Sequence, residues 1–185
     1  RASFPADVTM NLALLVFLTL GVVGTAVATL YEKSANESKA VCYSPYTPIG
    51  NRCLFVEPQT EGTWYQMRDF CYLVNGNLLK LDDANLLTDI VEYITYQVGV
   101  NRDYWIGGSD ENHEGLWLWM DGTIMRTGVP LWYHCTSVAQ QPNGGGSENC
   151  AVMRWDSFYH IHDESCYTVR SVICESTAHK SADKF

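Results

Sequence analysis

Apolar positions along the chain change period several times, and each change marks an element. Trp64, Met67, Phe70, Cys71 and Val74 recur at three- and four-residue intervals, the spacing that places side chains on one face of a helix. Thr63 precedes the run and Gln66 stands three residues after it, a capping box that predicts the helix start, with Gly76 as the expected stop. A second helical stripe of Leu86, Leu87, Ile90, Val91, Ile94 and Val98 begins after Asp83 and ends at Gly99. Neither stripe gathers reactive groups, so both helices read as scaffold. From Tyr104 the runs shorten: residues 104–108, 116–120, 151–155 and 167–174 are apolar or alternating and too brief for helices. Upstream, Tyr43 and Leu54-Phe55 surround Pro45, Pro48 and Gly50-Asn51, which predicts a small hairpin over residues 42–56.

The longest apolar run opens near Met10 and ends in Ala26-Val27-Ala28, the small-x-small pattern of a signal-peptidase site. From Leu12 to Leu30 it is also long enough to span a bilayer, so a membrane anchor is the competing reading. Two glycines, three threonines and the lack of Lys or Arg between Met10 and Leu30 favour cleavage. The expected organisation is a leader over 1–28, a polar linker over 29–41, one domain over 42–175 and a polar tail over 176–185. Asn36-Glu37-Ser38 in the linker is an N-glycosylation sequon.

Loss of the leader would remove Arg1 and Asp7, leaving the formal charge at −9. An acidic chain without a basic stripe is a poor candidate for nucleic acid or for an anionic membrane surface. The seven cysteines behind a leader read as an extracellular disulfide framework with one left over. Spacing alone does not assign the pairs.

The densest cluster of polar chemistry runs from Gln140 to Cys166. Gln141-Pro142-Asn143 leads into Gly144-Gly145-Gly146 and Ser147-Glu148-Asn149-Cys150, and His162-Asp163-Glu164-Ser165-Cys166 closes the segment. Such a loop sets out side-chain oxygens in the manner a hard cation such as Ca²⁺ requires. Gly, Asn, Ser and Pro clusters are also ordinary surface-loop material.

Pro-Asn, Glu two residues before one cysteine, and Asp three residues before the next resemble the primary calcium and sugar site of C-type lectin domains. Trp105-Ile106-Gly107-Gly108 resembles that family's central strand, and Gly115-Leu116-Trp117-Leu118-Trp119 with Asp121-Gly122 the segment after it. The resemblance covers residues 42–175. It implies an α+β, C-type lectin-like fold of the long form: two helices, small antiparallel sheets, a long calcium-binding loop region and three disulfides. The implied bridges are Cys42–Cys53, Cys71–Cys174 and Cys150–Cys166, which leaves Cys135 over as the candidate for a covalent homodimer. It also implies Gln141, Asn143, Glu148 and Asp163 as calcium ligands, and these four with His162 as the carbohydrate contacts. Asp110 and Glu114 match two positions of an auxiliary calcium site whose other two places hold Gly144 and Asn149.

The chain departs from the family pattern at the Pro. Glu-Pro-Asn resembles the mannose type and Gln-Pro-Asp the galactose type, whereas Gln141-Pro142-Asn143 carries an amide on both sides. A carboxylate accepts a sugar hydroxyl proton and a carboxamide donates one, so neither preference transfers. His162 stands where the family usually has Asn, and imidazole is a poor calcium ligand.

No Gly-x-Ser-x-Gly, His-Glu-x-x-His or P-loop pattern is present. His160 and His162 could share a face as a zinc pair, but no third ligand is evident. The expected function is therefore a secreted, calcium-dependent lectin that binds glycans of microbial or host surfaces in innate defence, and not an enzyme. The alternative keeps the scaffold, drops calcium-dependent sugar binding, and uses it for a protein or mineral surface.

Overall fold

The computed structural model describes residues 41–135 and 139–177. The leader, the Asn36 sequon and the tail from residue 178 onward lie outside them. No helix among the described residues is long and apolar enough to cross a membrane.

The chain opens with the expected hairpin, strand β1 (Thr47–Ile49) turning through Gly50, at φ 57°, into β2 (Arg52–Gly62). β2 is longer than the apolar run around Leu54 because it has a second partner, β10 (Arg170–Ser176), which pairs along it from Leu54 to Gly62. Helix α1 (Trp64–Leu73) begins at the predicted capping box, with both reciprocal bonds made: the Gln66 N–H to Thr63 Oγ1 at 3.3 Å and the Thr63 N–H to Gln66 Oε1 at 2.9 Å. Its buried residues are Trp64, Met67 and Cys71. Asn75, at φ 62°, takes the left-handed turn that ends the helix, so the stop falls one residue before the glycine. Gly76 instead opens β3 (Gly76–Leu78), where the Tyr46 hydroxyl leaves no room for a Cβ.

Helix α2 (Ala84–Tyr93) is capped by Asp83, whose carboxylate accepts from the Asn85 N–H at 2.9 Å. Its last turn widens into a π-helical segment, Ile94–Val98, closed by Gly99 at φ 68°. The remaining strands are β4 (Tyr104–Ser109), β5 (Leu118–Trp119), β6 (His134–Cys135), β7 (Ala139–Gln140), β8 (Cys150–Met153) and β9 (Ile161–Glu164). Rather than separate small sheets, most strands join one mixed sheet in the order β1-β2-β10-β4-β8-β9, with β3 on β10 and β5 on β4; β6 and β7 form a second, two-stranded sheet. β4 and β10 run parallel and the other pairs antiparallel.

Two packed cores flank this sheet. One gathers Leu86 and Ile90 of α2 and Ile94 of the π-helical segment against Tyr104, Ile106 and Ile173. The other packs α1 on Trp105, Val152 and Val172 and contains the disulfide cysteines. Polar edges of the buried tryptophans are satisfied across this interface: Trp64 Nε1 donates to the Ile106 carbonyl at 2.8 Å and Trp105 Nε1 to that of Gly62 at 3.0 Å. A Cβ on Gly108 would strike the Met125 side chain, which explains the small residue in the central strand.

The disulfides are Cys42–Cys53, Cys71–Cys174 and Cys150–Cys166. Cys71–Cys174 joins α1 to β10 across 103 residues, and in the chain-entropy account a loop of that size stabilises the fold by about 4.7 kcal/mol. Cys135 lies outside these bridges, half-buried, and a hydrogen bond with it is the first cause that raises the pKa of the Tyr133 hydroxyl.

Candidate functional site

The segment from Gln141 to Glu148 folds back over the β8–β9 hairpin, and Asp163 is its anchor. β9 pairs with β8 in a register that sets Asp163 opposite Ala151, and Asp163 is 5% exposed. Its carboxylate accepts from the Asn143 N–H at 3.1 and 2.8 Å and from the Gly144 N–H at 2.6 Å. The Asp163 N–H donates in turn to Gln141 Oε1 at 3.4 Å, and the Gln141 N–H reaches the Tyr133 carbonyl at 3.0 Å. Gln141 is buried, its peptide bond to Pro142 is cis, and Asn143 is exposed.

Beyond Asn143 the loop makes a single 3-10 turn, Gly145–Ser147, entered with Gly145 at φ 51°. Glu148 then folds back over Gly144, and a Cβ at Gly144 would overlap the Glu148 side chain. The glycine is thus required by close approach: its bare backbone lets the Glu148 carboxylate lie beside the Asp163 bonds. Cys150–Cys166 clamps the two halves from below.

The structure therefore brings Gln141, Asn143, Glu148 and Asp163 to one loop, and the charges there oppose one another. Glu148 has its pKa raised by burial first, then by Asp163 and Glu164, with Arg154 acting against the shift. Asp110 is raised likewise by burial, with Asp163 contributing in the same direction. Glu148 and Asp110 are thus raised in surroundings short of positive charge.

The expected auxiliary residues meet the same loop. Asp110 is 4% exposed; its Oδ2 accepts from the Gly115 N–H at 2.9 Å, while its Oδ1 is buried without a hydrogen-bond partner. The Asp110 N–H donates to the Asn149 carbonyl at 3.2 Å, and Asn149 Oδ1 is also buried and unpartnered. Glu114 approaches from the other side, its Oε2 3.5 Å from where a Gly146 Cβ would stand.

Do these residues fit a calcium ion? Every donor is oxygen, two carboxylates share the primary set, and two orphaned acceptor oxygens lie beside it, which is hard-cation chemistry. An ionised carboxylate offers about four lone-pair sites, so two backbone N–H donors leave Asp163 capacity for an ion. No three His, Cys, Asp or Glu side chains among the described residues converge as a metal cage. The set fits only with the amides counted in.

His162 is placed differently from a sugar contact. It is 6% exposed and stacks on Tyr133 with ring centroids 4.8 Å apart and planes at 19°. Its Nε2 is buried without a partner, and burial, followed by Arg154, pushes its pKa down to about 4. The strand is the reason, since neighbours on β9 point to opposite faces and only Asp163 turns toward the loop. His160 is occupied locally, its Nδ1 2.8 Å from the Ser157 carbonyl, so no zinc pair forms with His162. Tyr133 is the participant that sequence reasoning missed, because stacking and backbone acceptance carry no motif.

Residues 60–176 match the family model described as the Lectin C-type domain, well over half of the chain. This chain belongs to the C-type lectin domain family. Among curated C-type lectin relatives, ladderlectin of Oncorhynchus mykiss is 28% identical over 133 residues, covering 71% of this chain and 66% of its own. Human tetranectin is 29% identical over 149 residues, covering 80% of this chain and 70% of its own. The C-type lectin fold is seen again in a calcium-independent type II antifreeze protein, at TM-score 0.60 and 27% identity over 76% of this chain and 98% of that one. This chain thus spans about two thirds of the length of those curated relatives.

Proposed function

We propose that this chain is a secreted, calcium-dependent lectin that recognises glycans on microbial or host surfaces, with recognition or agglutination in innate defence as its role. The observation that carries the reading is the meeting of Gln141, Asn143 and Glu148 of one Gly-rich loop with Asp163 of β9: the Asp163 carboxylate holds the Asn143 and Gly144 N–H groups, Gln141 Oε1 accepts from the Asp163 N–H, and Glu148 folds over Gly144. Three disulfides in so small a domain support an oxidising, extracellular setting. Calcium held by those four residues would supply a coordination point for two adjacent sugar hydroxyls. The chain's own part is to orient them. Gln141 and Asn143 would offer their side-chain carbonyls to the ion and their N–H groups to the sugar, Glu148 would accept a hydroxyl proton, and Asp163 keeps the loop closed through the Asn143 and Gly144 N–H groups. Asp110, Glu114 and Asn149 are the candidates for a second, weaker ion.

A second reading has its own support. The Asp163 carboxylate is already bonded by the Asn143 and Gly144 amides, and a calcium-independent antifreeze protein shares the scaffold. On that reading the loop holds its shape without an ion and the domain binds a protein or mineral surface. A glycan array probed with and without EDTA separates the two. Glycan binding that EDTA abolishes supports the lectin reading, and glycan binding unaffected by EDTA, or none at all, supports the scaffold reading.

A further inference from the structure

The chain has an Asn-Gly pair at 75–76 and another at 143–144; both asparagines are exposed, and the fold holds the two glycines differently. Gly76 is buried at the start of β3, with the Tyr46 hydroxyl and the Glu175 carbonyl against its backbone. Gly144 is only half-buried, on the loop that carries the candidate site, and its N–H donates to Asp163 Oδ2 at 2.6 Å.

An asparagine followed by glycine can cyclise, because no Cβ on the next residue obstructs the approach of its backbone nitrogen to the side-chain carbonyl carbon. At this site Gly144 N would form a bond to Asn143 Cγ, its proton passing to the Asp163 carboxylate that already accepts it. The Cγ–NH₂ bond then breaks, and ammonia leaves with that proton. Water opens the resulting five-membered imide at one carbonyl or the other, giving an aspartate or an isoaspartyl linkage at position 143. One water is consumed, one ammonia is released, and no oxidant or reductant is needed.

We infer that Asn143 is a site of spontaneous deamidation, and that the modification resets the candidate calcium site. The second half of this inference rests on the calcium reading proposed above. The aspartyl product adds a third carboxylate beside Glu148 and Asp163, which raises affinity for a hard divalent cation. The isoaspartyl product lengthens the main chain by one atom and displaces the Asn143 and Gly144 N–H groups from Asp163. The loop's affinity for calcium therefore changes with the age of the molecule.

Purified protein is held in EDTA at mildly alkaline pH and physiological temperature for several weeks and followed by peptide mapping. The expected result is a gain of about one dalton in the peptide containing Asn143, split between aspartyl and isoaspartyl forms, with none at Asn75. Asn143→Gln keeps the carboxamide but cannot close the five-membered ring, and should show no gain. A wild-type rate at Asn143 no greater than at Asn75, or no greater than at position 143 of Asn143→Gln, overturns the inference. Calcium titration by calorimetry, with Asn143→Asp as the reference for the aspartyl product, reads the second half. Tighter binding by Asn143→Asp than by fresh wild type supports it. A mass gain without calcium binding by wild type or Asn143→Asp overturns the calcium reading and leaves the modification standing.

Discussion

Replacement of Asp163 tests the loop most directly, because its carboxylate has two separable duties. It accepts the Asn143 and Gly144 N–H groups at 2.6 to 3.1 Å. Hydrogen bonds to charged groups contribute about 1.5–3 kcal/mol each. Both donors are only partly buried and can recover water, so Asp163→Ala is expected to cost about 2–4 kcal/mol in total. For a domain of this size that corresponds to a fall of about 10 °C in the thermal midpoint. Asp163→Asn keeps an acceptor oxygen and loses the charge, so about half that fall is expected. Both midpoints are to be read by calorimetry in EDTA, where no ion contributes. Adding calcium should then raise wild type by about 2.7 kcal/mol at a hundredfold excess over Kd, leave Asp163→Ala unmoved and raise Asp163→Asn by less than wild type, since its amide oxygen can still ligate the ion. An unchanged midpoint for Asp163→Ala in EDTA would refute the anchoring role, since a residue that acts only as a metal ligand costs nothing when the metal is absent. A normal calcium response in Asp163→Ala would refute its place in the ion site.

Three other outcomes follow from the same geometry. Competition with mannose- and galactose-type sugars should show weak selectivity in wild type, shifted toward mannose by Gln141→Glu and toward galactose by Asn143→Asp; sharp wild-type selectivity would place specificity elsewhere. His162 is held neutral by burial, its pKa lowered from 6.5 to about 4, so the unfolded chain binds the extra proton. Stability in EDTA should therefore be flat above pH 6.5 and fall by about 3 kcal/mol as pH drops toward 4, and urea melts of His162→Phe should lack most of that slope. Removing the bridge with paired Cys71→Ser and Cys174→Ser changes should cost about 4 kcal/mol or more, read as a lowered denaturation midpoint, whereas an unchanged midpoint would count against the loop-closure account.

Local chemistry made much of this protein legible in the sequence. Helix α1 starts after Thr63 because the capping box is a contact between residues three apart, and α2 with its π-helical extension follows the apolar stripe to Gly99 because that stripe too is local. The family resemblance likewise lay in short motifs, so the disulfide pairs and the oxygen-bearing positions of the loop could be named. What the sequence could not supply is whatever depends on residues far apart meeting. The stretch of β2 beyond Val56 carries no strand period of its own and exists because β10 pairs with it. His162 reads as a polar loop residue until β9 turns it away from Asp163 and onto Tyr133. Asp163 reads as a ligand, and only the tertiary structure shows that it first holds the loop, through backbone N–H groups twenty residues away. Gly144 reads as loop filler until Glu148 folds over it. Side-chain period and capping act over one or two turns of chain, whereas burial, register and the sharing of one carboxylate among distant donors are set only when the whole sheet has closed.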